Sequence, residues 1–218
     1  MEKRELIARR VAQEFRDGNV VNLGIGIPTL AANYITKDIQ VVLQSENGIL
    51  GLGPESSEDT IDESIVDAGG KPKTIVQGGA FFDSAFSFSL IRGGHVDITV
   101  LGALEVDEEG NLSNWMIPNK KVPGMGGAMD LVVGAKKTII AMEHVNRDGK
   151  PKILEKCVLP LTAAKQVNKI ITDLSVIDVV KGEGLVLREI AEGLTIEELK
   201  SLTHAKFHIA KDLKIIAL

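Results

Sequence analysis

Cysteine is almost absent from this chain. Cys157 stands alone among 218 residues, which excludes an intrachain disulfide and any cysteine-based metal cluster. Its setting, Lys156-Cys157-Val158-Leu159-Pro160, predicts a small packed residue rather than a nucleophile. An excess of positive charge is also missing. With 25 Lys and Arg against 30 Asp and Glu, the net charge is −5, and no basic cluster of the kind a nucleic-acid surface needs is present. No apolar run approaches the roughly 20 residues that span a bilayer. The opening Met1-Glu2-Lys3-Arg4-Glu5 mixes both signs of charge, where a secretory signal needs an uninterrupted apolar region. These absences predict a cytoplasmic protein that engages neither nucleic acid nor membrane.

Glycine, by contrast, is abundant. There are 22 glycines beside an aromatic content of only 4%, and they cluster in motifs without a repeat period, which implies tight turns and close backbone approaches. Hydrophobic content of 44% and charged content of 25% are those of an ordinary globular protein. The length suits a single large domain spanning residues 1–218, and neither a polar linker nor an internal repeat divides it.

The pattern along the chain alternates. Leu6, Ile7, Val11, Ala12 and Phe15 recur at helical spacing across 5–15, with Gly18 as a stop. Val20, Val21 and Leu23 read as a strand running into Gly24-Ile25-Gly26-Ile27-Pro28, and proline then opens a short helix through Tyr34. Further strands are expected at 39–43, 96–101, 137–141, 176–180 and 185–187, and helices at 83–91, 129–133 and 196–203. The last is announced by the capping-box form Thr195-Ile196-Glu197-Glu198. Hairpin turns are expected at 106–112 and 181–184. The fold class is therefore α/β: an open, mainly parallel sheet flanked by helices, with antiparallel hairpins at its edges.

Within that frame, Gln44-Ser45-Glu46-Asn47-Gly48 closes an apolar run and leads into a predicted loop through Gly51, Gly53 and Pro54. Ligands in open α/β sheets are handled at the carboxyl ends of strands. A glutamate exposed there serves as base, metal ligand or covalent nucleophile. Gly24-Ile25-Gly26 is a weaker signal, a ligand-facing turn or merely a strand-to-helix turn, because Pro28 interrupts the dinucleotide pattern. Val122-Pro123-Gly124-Met125-Gly126-Gly127-Ala128-Met129-Asp130 is more specific. Gly126 and Gly127 before a helix can free backbone N–H groups to hold an oxyanion, or can simply allow close packing. His95 fits a structural hydrogen bond better than catalysis, Glu143-His144 ends a strand without metal-site spacing, and Asp107-Glu108-Glu109 reads as a solvated turn. His204 and His208 have no partner motif, and Ser84, Ser87 and Ser89 lack the Gly-x-Ser-x-Gly frame of a nucleophile elbow.

Taken together, these motifs resemble the smaller B subunit of the family I CoA-transferases of the 3-oxoacid, acetoacetate and butyrate–acetoacetate type. The resemblance runs through 21–28, 43–48, 51–54, 91–97, 114–118, 124–131 and 141–144, in order over nearly the whole chain, and fades after about residue 175. It implies the CoA-transferase fold and a ping-pong exchange of CoA between an acyl-CoA and a short-chain carboxylate. It places the covalent nucleophile on Glu46 and a backbone donor on Gly127. It also implies CoA or substrate contacts at Asn22, Gly24, Gly26, Asn47, Lys71 and Gly126, with Lys73 as the alternative to Lys71. The implied partner is a separate A subunit, in a heterodimer or heterotetramer, and no metal or cofactor is implied, CoA being a substrate. Two other readings of the residues stand beside it: a sugar-phosphate isomerase-like enzyme with Glu46 as a base, and a CoA- or nucleotide-sensing module.

Overall fold

A computed structural model describes residues 1–57, 61–120, 122 and 124–218. Pro123, part of the glycine-rich motif, lies outside the described residues. β1 (Val20–Leu23), β2 (Val42–Ser45), β5 (Ile98–Leu101), β8 (Lys137–Ala141) and β10 (Lys169–Ile171) form a parallel block in the order β2-β1-β5-β8-β10. Antiparallel strands extend both sides. β3 (Ile49–Glu55) and β4 (Lys73–Phe81) continue from β2, and β11 (Ser175–Val180) and β12 (Gly184–Ile190) continue from β10. β13 (Phe207–Ile215) adds to β12 in parallel, so that ten strands among the described residues form one sheet. A small second sheet holds β6 (Glu105–Asp107), β7 (Leu112–Ser113) and β9 (Ile153–Leu154). The mainly parallel sheet with antiparallel margins agrees with the expected fold class.

Alternation along the parallel strands sends neighbouring side chains to opposite faces. Val100 and Ile139 pack on one side, Leu101 and Ile140 on the other. The first face is covered by α1 (Lys3–Ala12), which buries Ile7, Val11 and, just past its end, Phe15. Leu6, expected on that face, is only partly covered, and Arg10 is buried in its stead. The Arg10 guanidinium is matched by two bonds to Glu189, at 2.7 and 2.8 Å, and one to Glu14 at 2.9 Å, as a buried charge requires. α3 (Ser84–Arg92) and α4 (Ala128–Gly134) cover the opposite face through Ile91, Leu131 and Val132. α3 starts where Asp83 accepts the Phe86 N–H at 2.8 Å. α2 (Ile27–Leu30) continues as a 3₁₀ turn to Tyr34, and α5 (Ile196–Ser201) carries the capping box on Thr195 and Glu198.

Two expectations are corrected. The segment through Gly51, Gly53 and Pro54 is not a loop but β3. Glycine and proline punctuation misleads here because β3 and β4 pair with irregular register, shifting between Leu50 and Leu52 and again before Glu55, and small residues suit such bulges. Asp107 is likewise not a solvated turn residue. It is 1% exposed and accepts backbone N–H groups from Glu109, Asn111 and Cys157, which organises the β6–β7 turn from inside.

Candidate active site

Because β1, β2, β5 and β8 are parallel, their carboxyl ends share one edge of the sheet, and Gly24-Ile25-Gly26 and Glu46 follow the ends of β1 and β2. Glu46 occupies the tight turn between β2 and the antiparallel β3. Gly48 makes this turn possible. Its φ is +118°, and a Cβ there would collide with the Phe82 carbonyl. The next strand therefore folds straight back, leaving Glu46 at the rim.

Period-two spacing puts Gln44 and Glu46 on the same side of β2, and the register sets Asn22 of β1 directly beside Gln44. The buried Asn22 Nδ2 donates to Glu46 Oε2 at 3.1 Å and to Gln44 Oε1 at 2.8 Å, with the Gln44 carbonyl at 3.3 Å. Gln44 Nε2 donates in turn to Ser87 Oγ at 3.0 Å, on the fully buried side of α3. Gly127 caps α4 from above. A Cβ at this position would lie 3.2 Å from Glu46 Cγ and 3.3 Å from Phe88 Cζ, so the carboxylate side chain leaves room here for glycine only. Among the described residues the Gly127 N–H has no hydrogen-bond acceptor, while the Ala128 N–H is taken by the Met125 carbonyl.

Glu46 opens into a cleft of about 380 Å³ that Gly24, Ile25, Gly26, Ser45, Lys71 and Lys73 also line. The lysine loop is tied down locally. Asp67 accepts the N–H groups of Gly69 and Lys71, and Ser45 Oγ accepts the Ala68 N–H at 3.0 Å. Both lysines reach the exposed Glu55 carboxylate, Lys73 at 3.3 Å and Lys71 at 3.8 Å.

The family model described as Coenzyme A transferase matches residues 4–202. The chain is 56% identical over 214 residues to the acetate CoA-transferase subunit beta of Haemophilus influenzae, covering 98% of this chain and 95% of that one. It is 50% identical over 212 residues to the human mitochondrial succinyl-CoA:3-ketoacid coenzyme A transferase 2, covering 97% of this chain but 41% of that longer one. Its fold is similar to the crystal structure of an acyl-CoA transferase apoenzyme from Escherichia coli O157:H7, at a TM-score of 0.78 and 24% identity, covering 98% of this chain and 43% of that one.

This chain belongs to the coenzyme A transferase family.

In this CoA-transferase chain, Asn22, Glu46 and Gly127 come together, and Gly24, Gly26, Lys71 and Lys73 line the same cleft. Asn47 points away, its Nδ2 bonding the Val66 carbonyl at 2.8 Å; neither Gly126 nor Gly127 lines the cleft, Gly127 meeting Glu46 from beside it and Gly126, with a left-handed φ of +51°, serving the turn before Gly127. A second cleft of about 460 Å³ shares Ile25 with the first and is lined by Glu143 and Lys152, whose amine burial pushes down to about 8. Glu46 does not line it.

The residues following β8 split in role. Glu143 faces that second cleft, whereas His144 is fully buried between the hydroxyls of Thr172 and Thr203, both at 2.9 Å, and burial lowers its pKa to about 4. His95, His204 and His208 are exposed, and His95 is held through its backbone N–H to the Leu90 carbonyl. The Cys157 thiol is pushed up to about 12, by burial first and by nearby Asp107 second, which suits a packed residue and not a thiolate. Gln44 and Ser87 were missed as site residues. For Gln44 the signal was its spacing of two from Glu46 on a strand. For Ser87, which belongs to another element, no local signal existed.

Proposed function

We propose that this chain is the B-type subunit of a short-chain acyl-CoA:carboxylate CoA-transferase, with Glu46 as its covalent nucleophile. The observation that carries the reading is the carboxylate itself. Glu46 stands at the carboxyl edge of the parallel block, held by Asn22, closely neighboured by Gly127 and open to a cleft. The Glu46 carboxylate attacks the thioester carbonyl; the C–S bond breaks and a mixed anhydride forms. The released CoA thiolate attacks the glutamyl carbonyl of that anhydride and expels the first carboxylate product, leaving a glutamyl–CoA thioester. An acceptor carboxylate then reverses the sequence and departs as the new acyl-CoA. Atoms and charge balance without a proton or electron from elsewhere. The Gly127 N–H is the proposed donor to the oxyanion of the tetrahedral states.

Both acyl intermediates hydrolyse unless water is excluded, and the cleft of this chain is open. An A-type subunit is the proposed cover. The names of the bacterial relatives as subunits support this, as do the longer relatives, of which this chain spans well under half. The test is direct. With the A-type chain present, incubation with acyl-CoA and no acceptor should place CoA on the peptide containing Ser45-Glu46-Asn47, and Glu46→Gln should abolish both adduct and turnover. An adduct on Cys157, or a fully active Glu46→Gln, would sink the proposal.

A further inference from the structure

Ser87, Gln44 and Asn22 form a directed line of buried hydrogen bonds beneath Glu46, and the steps above leave Gln44 and Ser87 without a task. We infer that Gln44, backed by Ser87, is a positioning residue that keeps the Asn22 amide turned toward Glu46 throughout the covalent cycle. The inference rests on the reading of Glu46 as the nucleophile.

A carboxamide has a donor end and an acceptor end of almost equal size, so its neighbours alone decide which way it faces. The Asn22 Nδ2 group faces three acceptors: Glu46 Oε2 at 3.1 Å, Gln44 Oε1 at 2.8 Å and the Gln44 carbonyl at 3.3 Å. Its Oδ1, on the other side, is buried with no hydrogen-bond partner among the described residues. Leaving a buried acceptor unpaired is costly, so the orientation is imposed from the N–H side. In the resting enzyme the Glu46 carboxylate contributes to that. Once Glu46 is acylated, however, its negative charge is gone and its pull on the amide weakens. Gln44 is chemically unchanged in every step, and its Oε1 makes the shortest of the three contacts. Its side chain is held at both ends, Oε1 by the Asn22 amide and Nε2 on Ser87 Oγ at 3.0 Å. Gln44 therefore matters most while the thioester waits for the acceptor carboxylate.

The experiment uses the assembled enzyme and whichever of acetyl-, butyryl- and acetoacetyl-CoA the wild type turns over fastest. Quenched-flow mass spectrometry follows adduct formation on the Glu46 peptide, then its discharge on adding acetate. Gln44→Met keeps the shape and removes the acceptor. It should slow discharge by about tenfold to a hundredfold, the range that small misplacement of a reacting group produces, with formation slowed less and KM within about twofold. Ser87→Ala, which removes a single atom and carries the same test if Gln44→Met assembles poorly, should act in the same direction and more weakly. Added to Asn22→Ala, Gln44→Met should change nothing further, since it acts through Asn22. Equal loss in both half-reactions in proportion to folded complex, or a full additional loss in the double variant, would overturn the relay. A wild type that forms no adduct on Glu46 defeats the nucleophile reading and the relay with it. Wild-type adduct with unchanged Gln44→Met kinetics defeats the relay alone.

Discussion

Gly127 sits where a single added methyl group would meet the side chain of Glu46, the proposed nucleophile. Its φ is −83°, a value any residue adopts, so Gly127→Ala carries no backbone strain. The added carbon would instead lie 3.2 Å from Glu46 Cγ and 3.3 Å from Phe88 Cζ, tighter than ordinary contact, and would push the carboxylate or the backbone N–H out of line. Losing one oxyanion donor costs on the order of 2.7–4 kcal/mol in the transition state. Gly127→Ala should accordingly assemble and melt close to wild type while kcat falls about a hundredfold or more. Stopped-flow kinetics together with a melting curve decide this. A fall in kcat no larger than the loss of folded complex would make Gly127 a packing glycine only. Cys157 offers the opposite expectation. Burial and Asp107 hold its thiol near 12, so iodoacetamide at neutral pH should modify it slowly in the folded chain and readily after denaturation.

Among the elements, His144 ties the end of β8 to the turn before β11 and to the end of α5 through Thr172 and Thr203. Its pKa, lowered chiefly by burial from 6.5 to about 4, makes this junction sensitive to acid. The unfolded chain takes up a proton on this ring at higher pH than the folded chain does. The stabilisation is therefore complete above about 6.5 and is lost as the pH falls from there toward 4, about 3 kcal/mol in all. Glu14 adds a second, more acidic step. Burial alone would raise its pKa, but the hydrogen bond from Lys137 and the charges of Lys169, Lys137 and Arg10 bring it to about 2. Its contribution is thus present above about 4.5 and lost as the pH drops toward 2. Melting temperature measured from pH 8 to 4 should fall mainly below 6.5, and His144→Gln, which bonds the threonines without titrating, should flatten that fall. A wild-type curve flat down to pH 4 would show that the junction opens to water. The β2–β3 turn is a different kind of element. Gly48→Ala forces a side chain onto a φ of +118° and into the Phe82 carbonyl, so it should lower the yield of folded protein, unlike Gly127→Ala.

At the scale of the whole molecule, the side of the cleft is left apolar and uncovered. Val76 and Phe81 on β4, Phe86 on α3 and Ile25 at the cleft rim are 48–70% exposed, and β4 is an edge strand. Exposed apolar residues at an open cleft and along an unpaired sheet edge suit a surface that a partner covers. The isolated chain should therefore show no more than trace transferase activity, recovered on co-expression with an A-type chain, and light scattering should report a heteromer. Robust turnover by the single purified chain would refute the two-subunit reading.

Much of this was legible in the residues. Short apolar runs such as the one within Lys137–Ala141, buried on both faces of the sheet, and the capping box at Thr195 are local signals, set by composition and by backbone groups within one turn. They located the parallel block and, with it, the edge where Glu46 stands. β3, β4 and β13 were not legible in the same way. Their glycines or exposed charges deny them an alternating pattern, and only a neighbouring backbone makes them strands. Sheet register was equally hidden. Asn22 lies beside Gln44 because β1 and β2 pair in parallel with a crossover between them, and Ser87 arrives from a helix 43 residues further on. A carboxylate's place at a strand end is written in its own few residues. The groups that hold and closely neighbour it come from β1, α3 and the start of α4, and long-range packing alone brings those together.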